Sequence, residues 1–219
     1  MTRKTGTPMA KLYFRYGTVG SAKTLNLLAV AHNYERQGKR CIVIKPAFDK
    51  RFGEWEVASR AGLQRTAHIL VQDDSQLDFQ KLAGNHCVLV DEAQFLSASV
   101  VDQLREVTRR LQTPVICYGL RSDFYGRLFE GSRRLFELAD SLEEIKTTCA
   151  YCNGKAILNL KHVGGQPTLD GPQKELGAEE LYHPVCYRHY MEKLQLEVPP
   201  PAVLDHLDSK DGVAGGVAE

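Results

Sequence analysis

The sequence lacks long apolar runs and any strong excess of charge. No stretch reaches the roughly 18 consecutive apolar residues of a membrane-spanning helix. The 28 Lys and Arg side chains are balanced by 27 Asp and Glu side chains, for a formal net charge of +1. Because proteins that coat nucleic acid carry an obvious excess of Lys and Arg, this balance argues against that class. We therefore expect neither a membrane nor a nucleic acid as a partner.

Cysteine is too scarce for a disulfide scaffold, with six among 219 residues. The basic N-terminus is not followed by the apolar segment of a secretory signal, because Arg15 and Tyr16 interrupt the run that begins with Leu12–Phe14. We therefore predict a cytoplasmic, reducing location. In such a compartment cysteines fill the core, act as nucleophiles or bind metals before they form disulfides.

Five short apolar runs predict strands that are buried on both faces, since they lack polar alternation. They are Leu12–Phe14, Cys41–Ile44, His68–Val71, Cys87–Val90 and Val115–Leu120. Helical patterns cover Lys23–Arg36, with Gly38 just past its end, and Ser97–Leu111, which opens with a Ser cap. Strands that alternate with helices predict an α/β fold with a doubly wound parallel sheet flanked by helices. A hydrophobic content of 43% is ordinary for a globular chain.

The pattern changes near residue 145. Ile145–Cys149 and Ala156–Lys161 predict a β-hairpin around a Cys-Ala-Tyr-Cys-Asn-Gly turn. Gly164–Gly177 then predicts a long loop, and a short helix should run from Cys186 to about Leu194. From Glu197 onward, three prolines and a Gly- and Ala-rich ending predict a disordered tail.

A candidate phosphate-binding loop follows the first strand directly and precedes a helix. Its residues are Gly17, Thr18, Val19, Gly20, Ser21, Ala22, Lys23 and Thr24. A P-loop reads Gly-x-x-x-x-Gly-Lys-Ser/Thr: its backbone N–H groups wrap the phosphates, the Lys reaches the β and γ groups, and the hydroxyl binds Mg²⁺. The segment fits except that Ala22 stands where the second Gly belongs. The alternative is a Gly-bearing turn with a solvated lysine.

Ala22 leaves two possibilities open at this point. If the residue adopts a positive φ, the alanine costs about 1–2 kcal/mol. If its conformation is right-handed, its methyl group mainly crowds the phosphate. Either way the affinity for phosphate is reduced relative to a loop with Gly.

An apolar strand ends in two carboxylates, Asp91 and Glu92. In P-loop proteins an Asp at this position holds Mg²⁺ opposite the loop hydroxyl, and the neighbouring Glu can act as a base toward a hydroxyl or a water. Ligands gather at the carboxyl ends of strands in open α/β sheets, so the location suits this chemistry. The loop and the acidic pair together predict an enzyme that uses a nucleoside triphosphate. Two solvated acids at a strand end are the alternative.

Two chelating pairs, Cys149-x-x-Cys152 and Cys186-x-x-His189, supply four ligands for tetrahedral Zn²⁺. Because protein groups fill every position, the site would be structural and would staple the long loop. A redox Cys-x-x-Cys motif or chance is the alternative. The remaining cysteines lie within apolar runs and are predicted to be buried thiols of the core: Cys41, Cys87 and Cys117.

Taken together, these segments resemble the type II thymidine kinases, cytosolic-type enzymes of pyrimidine deoxynucleoside salvage that supply DNA synthesis. The resemblance covers roughly residues 9–193. It is carried by the Gly17–Thr24 loop, Asp49-Lys50-Arg51-Phe52, Val90–Leu96, Cys117–Phe124 and the Cys/His quartet. It implies ATP-dependent phosphorylation of the 5′-hydroxyl of thymidine to dTMP, with ADP as the second product. It also implies Mg²⁺ with the ATP, a structural Zn²⁺, a homotetramer and feedback inhibition by dTTP.

The resemblance further implies a role for individual residues. Arg51 would steady the charge of the transferring phosphate and Asp49 would support the metal. Asp91 would be the Walker B acid, Glu92 the general base, and Lys23 would hold the phosphates. The implied ATP- and Mg²⁺-binding set is Gly17, Thr18, Val19, Gly20, Ser21, Ala22, Lys23, Thr24, Asp49, Asp91 and Gln94. The implied nucleoside-binding set is Val19, Phe95, Leu120, Phe124, Phe129, Leu176, Gly177, Ala178 and Tyr182.

The segment Leu176–Tyr182 resembles the family's lasso loop, which closes over the nucleoside and binds the base largely through backbone groups. Leu176-Gly177-Ala178 stands where the family usually has Ile-Gly-Gly. We predict four parts of the chain: an N-terminal extension (1–10), a P-loop α/β domain (11–144), a small zinc-stapled hairpin and lasso domain (145–194) and a tail (195–219).

Two other functions stay open on the sequence. The first is a kinase for another deoxynucleoside, which differs only in the shape of the base pocket. The second is a low-activity, nucleotide-binding regulatory module whose zinc hairpin contacts a protein or a nucleic acid. Lys155, Lys161 and His162 give only meagre support for such a basic surface.

Overall fold

The computed structural model describes residues 9–173 and 181–198. The strands are β1 (Leu12–Gly17), β2 (Cys41–Pro46), β3 (Glu56–Ala58), β4 (Gln64–Thr66), β5 (Ile69–Val71), β6 (Cys87–Val90), β7 (Val115–Leu120), β8 (Ser141–Glu144), β9 (Leu158–Val163), β10 (Gln166–Thr168) and β11 (Tyr182–Val185). The helices are α1 (Lys23–Arg36), α2 (Phe79–Leu82), α3 (Ala98–Arg110), α4 (Glu130–Leu138) and α5 (Tyr187–Leu194), with a 3₁₀ turn at Ala93–Phe95.

The central sheet has six parallel strands in the order β5-β2-β6-β7-β1-β8. Helix α1 packs on one face through Leu27, Leu28 and Ala31. Helix α3 packs on the other face through an apolar stripe that includes Val100 and Leu104. The apolar runs predicted as strands form strands because both faces of the sheet are covered in this way. The predicted α/β class is confirmed.

The register brings the carboxyl ends of the central strands to one edge of the sheet. Gly17 pairs with Leu120 across β1 and β7, and Val90 at the end of β6 pairs with Ile44 of β2. The loops that follow these strands therefore meet, as the carboxyl ends of parallel strands do in open α/β sheets.

A two-stranded hairpin, β3 and β4, lies between β2 and β5 and was not predicted. Val57 packs under α1 in the same apolar cluster as that helix. The buried Lys45 holds the hairpin's entry, because its Nζ donates to the Glu56 carbonyl at 2.7 Å and lies 3.6 Å from Asp49 Oδ2. These strands, Glu-Val-Ala and Gln-Arg-Thr, are short and mostly polar, so they form no apolar run that would have revealed them.

Residues 146–173 and 181–198 form a small lobe with its own apolar cluster around Leu160, Val185 and Tyr190. Its sheet has the order β10-β9-β11 with antiparallel pairing. The predicted helix is confirmed: α5 begins after Cys186, which stands at its N-cap, and ends at Leu194.

The hairpin predicted from 145–149 and 156–161 forms only next to its turn. Thr148 and Lys155 make an isolated antiparallel bridge, the Ala156 N–H donates to the Thr147 carbonyl at 2.9 Å, and the Cys149 N–H donates to the Gly154 carbonyl at 2.8 Å. Strand β9 itself pairs with β11 on one side and with β10 on the other. Gly164 and Gly165, both at positive φ, close the two-residue turn between β9 and β10. The start of the predicted long loop is therefore a strand.

Three predictions fall outside the described residues, or nearly so: the N-terminal extension, the Leu176–Ala178 part of the lasso and most of the tail. In the part of the chain that is described, no helix is both long and apolar enough to cross a membrane.

Candidate active site

The loop between β1 and α1 has the backbone of an anion-binding turn. Gly20 lies at φ 71°, and Ala22 lies at φ 60° and ψ 30°, in the left-handed region. This decides between the two possibilities for Ala22: the alanine bears a conformational cost of about 1–2 kcal/mol. No side chain caps the first turn of α1. Its leading N–H groups therefore remain available to an anion.

Lys23 folds back over its own loop. Its Nζ donates to the Thr18 carbonyl at 2.6 Å and lies 3.4 Å from Ser21 Oγ. Burial lowers the pKa of Lys23 to about 8, although the carboxylates of Glu92 and Asp91 act in the opposite direction. A phosphate group brought into the loop would restore the ammonium form by the same attraction.

Thr24 and Asp91 form an oxygen pair beside the loop. The Thr24 hydroxyl donates to the Asp91 carboxylate, with oxygen separations of 3.1 and 3.2 Å. Asp91 is 5% exposed, and burial, then the neighbouring Glu92, raises the pKa of its carboxyl. A hydroxyl and a carboxylate at this separation are the hard oxygen donors that Mg²⁺ prefers. The residues present therefore fit this ion.

Glu92 is held from both sides. One of its carboxylate oxygens accepts from the Arg51 guanidinium and the other accepts from the Gln94 amide. Gln94 Oε1 in turn accepts from the Leu120 N–H at 2.9 Å. Glu92 is 7% exposed and lies at φ 49°, a left-handed conformation that non-glycine residues adopt only when their surroundings enforce it.

Arg51 joins Glu92 to the second acid, Asp49. Arg51 Nε donates to Asp49 Oδ1 at 2.7 Å, and a terminal nitrogen donates to Oδ2 at 3.1 Å. Burial opposes the charged form of Arg51, but the Glu92 and Asp49 carboxylates outweigh it and raise its pKa. Burial likewise opposes the charged form of Asp49, and Arg51 outweighs it and lowers the pKa of Asp49. Both groups are therefore held in their charged forms.

Two cavities meet at this network. The first, a cleft of about 800 Å³ that is open to solvent, is lined by the P-loop and by residues of the β3–β4 turn. The second, of about 600 Å³, is lined by five aromatic side chains together with polar and charged groups. Both are lined by the same four residues: Val19, Arg51, Glu92 and Leu120. Glu92 and Arg51 therefore lie in the wall that the two cavities share.

The second cavity contains most of the nucleoside-binding set that the resemblance implies. Phe95 makes edge-on contacts with Phe129 at 5.5 Å and with Phe48 at 5.6 Å between ring centroids. Phe124 lies 6.1 Å from Tyr182. Of the implied nucleoside set, the structure brings these together: Val19, Phe95, Leu120, Phe124, Phe129 and Tyr182. Leu176, Gly177 and Ala178 lie outside the described residues.

Several residues that line these cavities were missed by sequence reasoning. They are Phe48, Ser122, Asp123, Asn159 and Gln173 in the second cavity, and Ser59 and Arg60 in the first. Asp123 was visible within the Gly-Leu-x-x-Asp-Phe motif but received no role. It accepts from Gln173 Nε2 at 2.7 Å and from the Tyr125 and Arg127 N–H groups, and burial raises the pKa of its carboxyl. Nothing in the local sequence pointed to Asn159 or Gln173.

The four predicted zinc ligands come together in the small lobe. His189 Nδ1 lies 3.4 Å from Cys149 Sγ and 3.3 Å from Cys186 Sγ, and Cys152 Sγ lies 3.9 Å from Cys186 Sγ. Tetrahedral zinc, with bonds of about 2.3 Å to sulfur and about 2.0–2.1 Å to nitrogen, sets its ligands about 3.5–3.8 Å apart. The quartet therefore could hold zinc. The other three cysteines are buried, unpaired thiols, as predicted: Cys41, Cys87 and Cys117.

The chain is similar to named proteins over most of its length. A family profile described as thymidine kinase matches residues 10–190. The thymidine kinase of Streptococcus gordonii is 45% identical over 186 residues, which cover 84% of this chain and 97% of that protein. The thymidine kinase of Lactiplantibacillus plantarum is 45% identical over 184 residues, 83% of this chain and 96% of that protein.

Among solved structures, the Pif1 helicase of Candida albicans matches with a TM-score of 0.37 and 12% identity, covering 62% of this chain and 36% of the helicase. That likeness is too weak to carry an argument. The profile match and the 45% identity confirm the resemblance found in the motifs, and the chain belongs to the thymidine kinase family.

Proposed function

We propose that the protein transfers the γ-phosphoryl group of ATP to the 5′-hydroxyl of thymidine, giving dTMP and ADP. The observation that carries the proposal is the wall shared by the two cavities, in which Glu92 and Arg51 lie. A donor triphosphate in the P-loop cleft and a nucleoside in the aromatic cavity would meet at these two side chains. Phosphoryl transfer depends mainly on such positioning and on neutralising charge.

On the phosphate side, the uncapped start of α1 and Lys23 would bind the β and γ groups. Thr24 and Asp91 are the oxygen donors that would hold Mg²⁺, and that ion would supply additional positive charge to the phosphates. Asp49 keeps Arg51 oriented toward Glu92, and the guanidinium would stabilise charge on the transferring group.

Glu92 would act as the general base. A carboxylate has about four lone pairs on its two oxygens, so the bonds from Arg51 and Gln94 leave acceptor capacity on both. The proton of the 5′-hydroxyl would pass to Glu92 as the O5′–Pγ bond forms. The bond from Pγ to the bridging oxygen would break, and its electron pair would leave with ADP.

On the nucleoside side, Phe95, Phe124 and Phe129 would enclose the base, and Tyr182 would close the cavity near the lasso. The edge-on ring contacts support a rigid apolar slot. The aromatic faces of the slot suit an uncharged pyrimidine ring. The backbone of Leu176, Gly177 and Ala178 is proposed to pair with the base edge, as in the family.

Several finer features are part of the same proposal. We propose Zn²⁺ in the Cys149, Cys152, Cys186 and His189 quartet, where it would hold the small lobe together. The lobe's separate apolar cluster supports a domain boundary near residue 145. Inhibition by dTTP fits the shared wall, because a triphosphate attached to the bound nucleoside could extend into the P-loop cleft. We also propose a homotetramer and a cytoplasmic location, as the family resemblance implies, and the six unpaired thiols suit a reducing compartment.

A substrate panel tests the proposal. ADP release should be measured with purified protein, ATP and each of thymidine, deoxyuridine, deoxycytidine and deoxyguanosine. Thymidine-dependent release with little turnover of cytosine or guanine nucleosides is the expected result. Strong preference for a different nucleoside would favour the alternative kinase. Binding of thymidine and ATP without any transfer would favour the regulatory module and refute catalysis.

A further inference from the structure

One buried amide joins the small lobe to the P-loop. Asn159, on β9, is 3% exposed. Its Oδ1 accepts from the Val19 N–H at 2.9 Å, and its Nδ2 donates to the Ser122 carbonyl at 3.1 Å. Both partners are backbone groups, so these hydrogen bonds depend on the backbone conformation at Val19 and Ser122 and not on which side chains those residues carry.

The two partners belong to different parts of the site. Val19 lies in the middle of the P-loop and lines both cavities. Ser122 follows β7 and, with Asn159 itself, lines the nucleoside cavity. Asn159 therefore stands where the phosphate loop, the exit of a central strand and the small lobe meet.

Two further bonds between the lobe and the sheet have partners outside the P-loop. Arg121 donates to the Ile157 carbonyl at 2.6 Å, and the Tyr190 hydroxyl donates to the Phe124 carbonyl at 2.7 Å. Both end on the segment after β7. These two bonds hold the lobe on the sheet. Removing one of them is therefore a control for the separate effect of Asn159 on the P-loop.

The P-loop needs such support because its local sequence stabilises its shape poorly. Gly20 is flexible, and Ala22 is held at a positive φ that alanine disfavours. The Val19 N–H is buried with its partner, and a buried donor without an acceptor is strongly unfavourable. The Asn159 acceptor thus favours one conformation of the loop before any phosphate binds. Preorganisation of this kind raises the affinity for the ligand.

We propose that Asn159 is a positioning residue through which the small lobe holds the P-loop in its phosphate-binding shape. Its ligand class is the donor nucleoside triphosphate. The inference rests on the proposed ATP-dependent transfer, and it makes the lobe a part of the ATP site as well as of the nucleoside site.

The first test measures the loop without substrates. Hydrogen exchange of peptides that contain residues 17–24 should be followed in wild type, Asn159→Ala, Asn159→Asp and Arg121→Ala. Asn159→Ala should speed exchange of the P-loop peptide by about 5- to 30-fold, the range for a buried donor that loses its partner. Asn159→Asp keeps the acceptor for the Val19 N–H but replaces the donor to the Ser122 carbonyl by an oxygen, so its protection should lie between that of Asn159→Ala and that of wild type. Arg121→Ala removes a lobe contact that ends on the Ile157 carbonyl and not on a P-loop group, and it should leave the P-loop peptide at the wild-type rate.

The second test separates positioning from general destabilisation. In steady-state kinetics, Asn159→Ala should raise KM for ATP by about 5- to 30-fold, while kcat at saturating ATP changes less than about threefold. Arg121→Ala should leave KM for ATP near wild type. Should Asn159→Ala not yield folded protein, Asn159→Ser, which shortens the side chain's reach, takes its place with the same expected results.

Wild-type exchange of the P-loop peptide in Asn159→Ala, or an equal acceleration in Arg121→Ala, would overturn the inference. So would an unchanged KM for ATP in Asn159→Ala. A wild-type protein that fails to phosphorylate thymidine would instead refute the proposed function, and the exchange rates would still decide the role of Asn159.

Discussion

At the scale of single residues, the site depends on side chains whose surroundings fix their chemistry. Glu92 lies at positive φ, accepts from Arg51 and Gln94, and stands between the two cavities. Its residue type and its place after a strand were predictable from the sequence. The bonds on either side of it were not, because Arg51 lies far away along the chain and only the folded sheet edge brings it near.

Replacing Glu92 by Gln should remove the base and preserve the shape. We expect kcat to fall by about 10²- to 10⁴-fold, the usual contribution of general base catalysis, while thymidine and ATP still bind. Calorimetric titration and single-turnover assays would measure the two effects. Glu106→Gln, on the exposed face of α3, is the matched control and should retain full activity. A Glu92→Gln variant with near wild-type kcat would contradict the assignment.

At Ala22 we predict a substitution that improves stability and ATP binding. Because Gly tolerates the left-handed region that Ala22 occupies, Ala22→Gly should stabilise the fold by up to about 1 kcal/mol and tighten ATP binding. Ala29→Gly, in the exposed middle of α1, should instead destabilise it by about 0.5–1 kcal/mol. Urea denaturation of the two variants measures the difference. If both substitutions lower stability alike, the conformation assigned to Ala22 is wrong.

At the scale of elements, the sequence predicted the strands that are buried on both faces of the sheet. It did not predict the strands whose extended shape depends on pairing with a distant strand. Strands such as β6 can be predicted because they are uninterrupted runs of apolar residues. Strand β8, with the sequence Ser-Leu-Glu-Glu, is polar, and its extended shape comes from its parallel pairing with β1. The pairing of β9 with β10 and β11 could not be inferred either, because a local sequence pattern does not specify the partner of a strand.

The small lobe is the element whose stability should depend on metal. Its apolar cluster is small, and domains of this size need a metal or another cross-link. We expect about one zinc per chain, and chelation or Cys152→Ser should remove it and lower the melting temperature of the lobe. Zinc content by atomic emission and thermal unfolding would show both effects.

Cys41→Ala, at a buried thiol in the central sheet, is the control and should leave zinc content unchanged. Clearly less than one zinc per wild-type chain would refute the division of the six cysteines into core thiols and ligands.

At the scale of the whole molecule, stability and activity oppose each other at Asp91. Burial and the nearby Glu92 raise the pKa of Asp91 in the folded state. The folded protein therefore holds this proton more tightly than the unfolded chain, and the group's contribution to stability falls as pH rises through the unfolded and then the folded pKa. An Asn at this position carries no such penalty.

Asp91→Asn should thus be more stable than wild type at pH 8, by on the order of 1 kcal/mol, and lose phosphoryl transfer. The advantage should shrink as pH falls toward 4, where the carboxyl of Asp91 is protonated. Thermal unfolding at pH 8 and pH 5 measures the trend. A destabilised variant at pH 8, or an advantage that grows toward acid, would contradict it.

Some contacts within the assembled site could not be predicted from sequence motifs. The P-loop and the acidic pair were predicted because each is a contiguous pattern with a known chemistry, whereas the nucleoside-binding set was implied only by the family resemblance. Asn159 meets Val19 across 140 positions of sequence, and Gln173 meets Asp123 across 50. Contacts of this range depend on how the small lobe sits on the sheet, which no local pattern specifies.

The two edges of the central sheet are short. Strand β5 has three residues and β8 has four, and β8 carries Glu143 and Glu144. An exposed strand edge is a template for pairing with another chain, and short, charged edges suppress it. The sheet is therefore protected against edge-to-edge aggregation and fibril growth.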